Sequence, residues 1–101
     1  MNPDYSINQL KEIFVEYFKN KPVVIKAYLF GSYARNQADE KSDMDILVDL
    51  EYKTGIAQEY VRMVKELKVK LNKDIHLITT NSISPFIEEN INKDKILLYE
   101  R

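Results

Sequence analysis

The chain has no cysteine and a single histidine, His76. The first lack excludes disulfides, cysteine-based zinc sites and thiol nucleophiles. The second excludes any site that draws two imidazoles from this chain. An excess of one charge is also missing: 15 Lys and Arg stand against 16 Asp and Glu, for a net charge of −1. A sequence-independent hold on long DNA or RNA needs many unopposed cations, so long nucleic acid is not the expected partner. No apolar run reaches the length of a membrane span. The opening MNPDYSINQLKEIF has no charged region followed by an apolar stretch, so no signal peptide is expected and the cytoplasm is the expected location.

What is present suits one folded domain. The 101 residues suffice for one core and not two. An apolar share of 45% with 31% charged residues of both signs argues against a disordered tail. A chain this short and charged is also expected to bury apolar surface against a partner, as a homo- or hetero-oligomer.

Ser6 is placed to cap a first helix reaching about residue 20, with Ile7, Leu10, Ile13, Phe14, Tyr17 and Phe18 on one stripe. Pro22 ends it, because proline disfavours helical geometry in the residue before it. Residues 23–30 (VVIKAYLF) are apolar, β-branched and aromatic, and read as a buried strand. Tyr33-Ala34-Arg35 suits a short helix, and residues 36–42 a polar loop. Residues 43–50 (DMDILVDL) read as a second strand. Residues 56–72 form a long helix, with Ala57, Tyr60, Val61, Val64, Leu67 and Leu71 predicted on its apolar face. Residues 74–79 (DIHLIT) are a third strand, and 85–91 a last helix capped by Ser82 or Ser84 with Pro85 in its first turn. The tail 96–99 (ILLY) is an edge strand or a docking segment. The order predicts an α/β domain of two or three layers around a small sheet.

Two features carry chemistry. Residues two apart on a strand share a face, about 6.5–7 Å apart at Cα, so Asp43 and Asp45 can converge on a hard cation. Two adjacent carboxylates without a cation raise one pKa and destabilise the fold, and Mg²⁺ suits their oxygens. Taken alone, Asp-x-Asp is equally a solvated strand end. Gly31-Ser32 follows a buried strand directly. Glycine there lets backbone approach a phosphate, a helix starting at Ser32 would aim free N–H groups at it, and the hydroxyl adds a donor. Alone, this is equally an ordinary capped turn, and Arg35 an exposed cation or a phosphate contact. Together, a phosphate cradle beside a metal pair is what a triphosphate needs during displacement.

Leu29-Phe30-Gly31-Ser32-Tyr33-Ala34-Arg35, followed by Ser42-Asp43-Met44-Asp45-Ile46-Leu47-Val48, resembles the signature of the minimal nucleotidyltransferases of the DNA polymerase β-like superfamily. The resemblance continues to Ser84-Pro85-Phe86-Ile87 and covers nearly the whole chain. It implies an α/β (α+β) fold, a small mixed sheet flanked by helices. It also implies metal ligation by Asp43 and Asp45 and nucleotide contact by Gly31, Ser32, Arg35 and Ser42. Many members are antitoxins paired with a HEPN-domain toxin, and some add AMP to a tyrosine of that partner. The chain departs from the pattern twice. Asn36 stands where glycine usually follows the arginine, and asparagine tolerates left-handed geometry. His76 stands where a third carboxylate is usual, with Asp74 two residues earlier on the same strand face. His76 then acts as a metal ligand or a base, or Asp74 replaces the carboxylate, or the site is impaired. His76 and Asp74 are also readable as plain surface polar residues.

The expected activity is transfer of NMP, AMP from ATP, to a hydroxyl with Mg²⁺ or Mn²⁺. The expected acceptor is a tyrosine of a HEPN-domain partner, since the chain is too short for the substrate domain of the larger relatives. The competing expectation is a non-catalytic subunit that neutralises its partner by masking it. A small-molecule nucleotidyltransferase ranks below both. Tyr33 lies in the phosphate loop, where it can stack on a base or pack inward. Lys53, Lys65, Lys68 and Lys70 read as a solvated face.

Overall fold

The computed structural model describes residues 5–101; residues 1–4, which hold part of the signal-peptide reading, lie outside the described residues. Ser6 opens α1 (Ile7–Phe18) with a reciprocal cap: its Oγ accepts from the Gln9 N–H at 3.1 Å, and its own N–H donates to Gln9 Oε1 at 2.8 Å. Four strands follow with their connecting helices: β1 (Val24–Phe30), α2 (Gly31–Ala34), β2 (Met44–Leu50), α3 (Ile56–Leu71), β3 (Ile75–Thr79), α4 (Pro85–Asp94) and β4 (Ile96–Glu100). Ser84, and not Ser82, caps α4, with Pro85 in the first turn. The tail resolves to a strand, and α4 runs a few residues beyond its expected end.

The sheet order is β3-β2-β1-β4. β1 is antiparallel to both β2 and β4, while β2 and β3 are parallel and joined through α3. A parallel pair needs such a crossover, and here the helix supplies it. One face of the sheet carries the core. Val24, Ala27 and Leu29 of β1 and Met44, Ile46, Val48 and Leu50 of β2 meet Leu10, Phe14 and Phe18 of α1 and Met63, Leu67 and Leu71 of α3. Phe14 stacks on Phe18 with ring centroids 5.6 Å apart. Both long helices lie on this side and touch each other through Tyr17, whose hydroxyl donates to Glu66 Oε1 at 2.7 Å. Leu47 of β2 and Ile91 of α4 are also buried, outside this main cluster. By strand alternation, Asp45 and Asp49 of β2 and His76 of β3 face away from this core.

The expected apolar face of α3 requires correction. Met63 is fully buried at its centre, whereas Ala57 and Val61 are exposed. The buried residues step by four, 63, 67 and 71, so the stripe is rotated from the one predicted. Among the described residues no helix is long and apolar enough to cross a membrane.

Phe14 has no exposed surface and sits between α1 and the sheet, so Phe14→Ala is expected to cost about 3–5 kcal/mol. Val69, 83% exposed on α3, is expected to tolerate alanine within about 0.5 kcal/mol. Urea denaturation of the two variants measures both.

Candidate active site

The site forms where β1 ends and β2 begins. The chain leaves β1 at Phe30 and turns into α2 at Gly31 with φ of 75°, a left-handed geometry that penalises any side chain. Register places Phe30 opposite Asp45 on β2, and Asp45 opposite His76 on β3. The Asp45 carboxylate lies directly against Gly31, so that a Cβ at residue 31 would collide with it. Glycine is thus required twice, for its backbone angle and for the space above its Cα. The turn of the expected phosphate cradle and the carboxylate of the expected metal pair are in van der Waals contact. Phe30, as N-cap, contributes no side-chain cap to α2.

His76 extends this row. Its Nδ1 lies 3.1 Å from Asp45 Oδ1 while the ring remains largely exposed. Asp43 precedes β2 and is exposed. Burial pushes the half-buried Asp45 carboxyl above the ordinary carboxylate range. The hydrogen bond and charge of His76 oppose this shift, the charge of Asp43 adds to it, and Arg35 opposes it weakly. Among the described residues no three His, Asp or Glu side chains gather closely enough to enclose a metal. A pair of carboxylates, one of them disfavoured as an anion, nevertheless fits a hard cation that takes its other ligands from phosphate and water.

The other expected site residues have local partners. Arg35 pairs with Asp94 of α4 at 3.1 Å, and its Nε donates to Gln37. Ser42 closes the polar loop: its Oγ accepts from the Asp39 N–H at 2.9 Å and donates to Asp39 Oδ1 at 3.2 Å. Asn36 has φ of 59°, the left-handed geometry expected of a residue standing in for glycine. Asp74 precedes β3 instead of lying within it, and its carboxylate pairs with Lys68 of α3 at 3.2 Å. Lys68 is thus solvated but committed to an ion pair. Tyr33 is buried in the core, with the Lys73 ammonium 5.6 Å from its ring centroid, so it packs inward and offers no face to a base.

Two residue groups beside the site were not foreseen. Ile87, Asn90 and Asp94 of α4 line a cleft of about 200 Å³ with Gly31 and Arg35. Lys68 and Lys73 join Ser42, Asp43 and Asp74 around a polar cleft of about 450 Å³. Residues so far apart in sequence carry no periodic signal that could have grouped them.

The family described as "Polymerase beta, Nucleotidyltransferase" matches residues 11–101. A protein of Methanocaldococcus jannaschii, whose name marks it provisionally as a protein adenylyltransferase, is 37% identical over 86 residues, covering 85% of this chain and 90% of its own. Protein adenylyltransferase MntA of Thermococcus cleftensis is 29% identical over 68 residues, covering 67% of this chain and 68% of its own. Among solved structures, one described provisionally as a minimal nucleotidyltransferase superposes with a TM-score of 0.75 at 22% identity, over 92% of this chain and 96% of that one. A toxin–antitoxin with AMP-PNP gives 0.74 at 22% identity, over 90% and 73%. Tri-AMPylated Shewanella oneidensis HEPN toxin in complex with MNT antitoxin gives 0.68 at 22% identity, over 94% and 73%. At these identities the superpositions establish the fold.

Gly31→Ala is expected to destabilise the protein by about 1–2 kcal/mol from its backbone angle alone, with the collision at Asp45 adding to that. Adding Asp45→Gly removes the collision and leaves the backbone cost, so the double variant recovers only part of the loss in a thermal melt. Asp45→Asn tests the electrostatics. A carboxyl raised on folding is less favourable as an anion in the folded chain, so stability falls as pH rises through the window above the ordinary carboxylate value. The neutral amide escapes this loss. Without metal, Asp45→Asn is expected to melt higher than the wild type at pH 7 and to lose that advantage near pH 4, as thermal melts at the two pH values would show.

Proposed function

Because the chain belongs to the Polymerase beta nucleotidyltransferase family, we propose that it is a metal-dependent protein adenylyltransferase acting as the antitoxin of a HEPN-domain toxin in the cytoplasm. The observation that carries this reading is the Asp45 carboxylate seated on the Gly31 turn, with Asp43 close enough for its charge to act on it. A triphosphate placed against that turn meets backbone N–H groups on one side and two carboxylates on the other. AMP-PNP in one structural neighbour, and an AMPylated HEPN toxin bound to its MNT antitoxin in another, support ATP as substrate and a HEPN protein as partner.

In this proposal Gly31 and Ser32 bind the phosphates through their N–H groups and the Ser32 hydroxyl. Asp43 and Asp45 would hold Mg²⁺ or Mn²⁺, which would supply positive charge against the phosphates when bound. Arg35, anchored to Asp94, adds positive potential at the same end of the sheet. Ser42 acts by holding the loop before Asp43 in its turn. The acceptor hydroxyl, proposed to be a tyrosine of the partner, attacks the α-phosphorus. A new P–O bond forms to the acceptor, the α–β bridging P–O bond breaks, pyrophosphate leaves, and the acceptor proton passes to solvent or a nearby base. Asp74, tied to Lys68, is placed less well than His76 to take the position of a third carboxylate.

The test is to mix the protein with α-labelled ATP, Mg²⁺ or Mn²⁺ and the product of the neighbouring gene, which this reading expects to be a HEPN-domain protein. Label is expected on the partner, and Asp43→Ala with Asp45→Ala is expected to reduce it about 100-fold or more. No label with any metal, together with toxin neutralisation that survives the double substitution, would establish a masking subunit instead.

A further inference from the structure

We propose that Lys73 is a positioning residue for the candidate site: its buried ammonium braces the loop that delivers Asp43 against the helix that follows Gly31. The inference rests on the nucleotide-and-metal reading above and adds to it a residue outside the site that sets where Asp43 stands.

Among the described residues Lys73 is the one charged side chain that the fold buries, with 8% of its surface exposed. An ammonium taken out of water destabilises a fold unless polar or π-electron partners receive it. The Lys73 Nζ donates to the Glu40 carbonyl at 3.4 Å. It also stands 5.6 Å from the Tyr33 ring centroid, within reach of a cation–π contact. Tyr33 lies in α2, two residues beyond Gly31, and Glu40 lies three residues before Asp43. One ammonium therefore touches both limbs of the site: the helix that opens at the Gly31 turn and the loop that ends at Asp43.

The neighbouring backbone does the same on the far side of Asp43. The Asp74 carbonyl accepts the Met44 N–H at 3.0 Å. The turn between α3 and β3 thus grips the chain at residue 40 through a side chain and at residue 44 through a carbonyl, with Asp43 between the two anchors. That turn is short: Asn72 ends α3 in left-handed geometry, with φ of 54°, and β3 begins at Ile75. The Ser42 N–H donates to the Asp39 carbonyl at 3.2 Å and the Asp39 N–H to Ser42 Oγ at 2.9 Å, which closes residues 39–42 on themselves. Lys73 joins that closed unit to α2. Removing the ammonium frees the end of the loop, so Asp43 samples more positions and its share in holding a cation weakens. The consequence is a higher metal requirement with little loss at saturating metal.

The experiment uses the full chain. Backbone ¹⁵N relaxation of the metal-free protein reads the order of residues 39–43. Titration with Mn²⁺ in the presence of AMP-PNP reads the half-saturating metal concentration. Lys73→Met keeps the length of the stem and removes the charge. It is expected to lower the order parameters of residues 39–43 from about 0.85 toward about 0.6, and to raise the half-saturating Mn²⁺ concentration about tenfold. Lys73→Arg, which keeps a cation there, is expected to restore both. Tyr33→Leu, which removes the ring and keeps an apolar side chain, is expected to shift both in the same direction by less. The same two readouts on Tyr33→Leu decide the matter if Lys73→Met does not fold. Wild-type binding with either readout unchanged in Lys73→Met, or loss of thermal stability as its sole effect, overturns the inference and leaves the proposed function standing. Failure of the wild-type chain to bind Mn²⁺ and AMP-PNP at all overturns both.

Discussion

The contact between the Asp45 carboxylate and the Cα of Gly31 is the constraint on which the rest of the site depends. It joins the end of β1 to the beginning of β2, across an antiparallel pair whose register sets Phe30 opposite Asp45. The carboxylate can lie there only because residue 31 has no side chain and adopts a φ of 75°. That angle in turn sends the chain into α2 and away from the sheet. The connection must then return to the start of β2, which it does through a left-handed Asn36 and a loop closed by Asp39 and Ser42. Loop, turn and strand register are thus different parts of one requirement: an acidic group held against the half-buried backbone of Gly31.

This arrangement is electrostatically incomplete. Asp45 is half-buried, burial disfavours its charge, and Asp43 adds repulsion. The nearby cations have acidic partners of their own, Arg35 in Asp94 of α4 and Lys68 in Asp74, although the charge of Arg35 still reaches Asp45. The second pairing also holds Asp74 at the edge, leaving the place beside Asp45 to His76. The cation of the proposed function would relieve this repulsion. The stability lost by holding Asp45 this way is small against the core formed by Phe14, Phe18, Met63 and the central strands.

Strand alternation lets the core and the polar site occupy different faces of the same strands. Both long helices cover one face of the sheet, and the buried aliphatic residues of β1 and β2 are concentrated there. The opposite face carries Asp45, Asp49 and His76 without interrupting the core. Alternation along each strand keeps the two roles separate, so that substitution on the chemical face and substitution in the core have different consequences.

Much of this was legible from residue order. The stripe of α1, the capping by Ser6, the buried strand before Gly31, the place of Asp45 near the start of the next strand and the left-handed tolerance of Asn36 all express local stereochemistry, which is encoded within a few residues of the place where it acts; Asp43, expected to open that strand, lies just before it. The tilt of the α3 stripe toward Met63, the engagement of Ser42 with Asp39, the inward packing of Tyr33 and the capture of Asp74 by Lys68 were decided in three dimensions. So was the choice between Asp74 and His76 as neighbour of Asp45. Local sequence determines which backbone angles and which faces are available. Pairing of strands from distant parts of the chain determines which of those faces meet, because hydrogen-bond register, and not proximity along the chain, sets the distance between two side chains on a sheet.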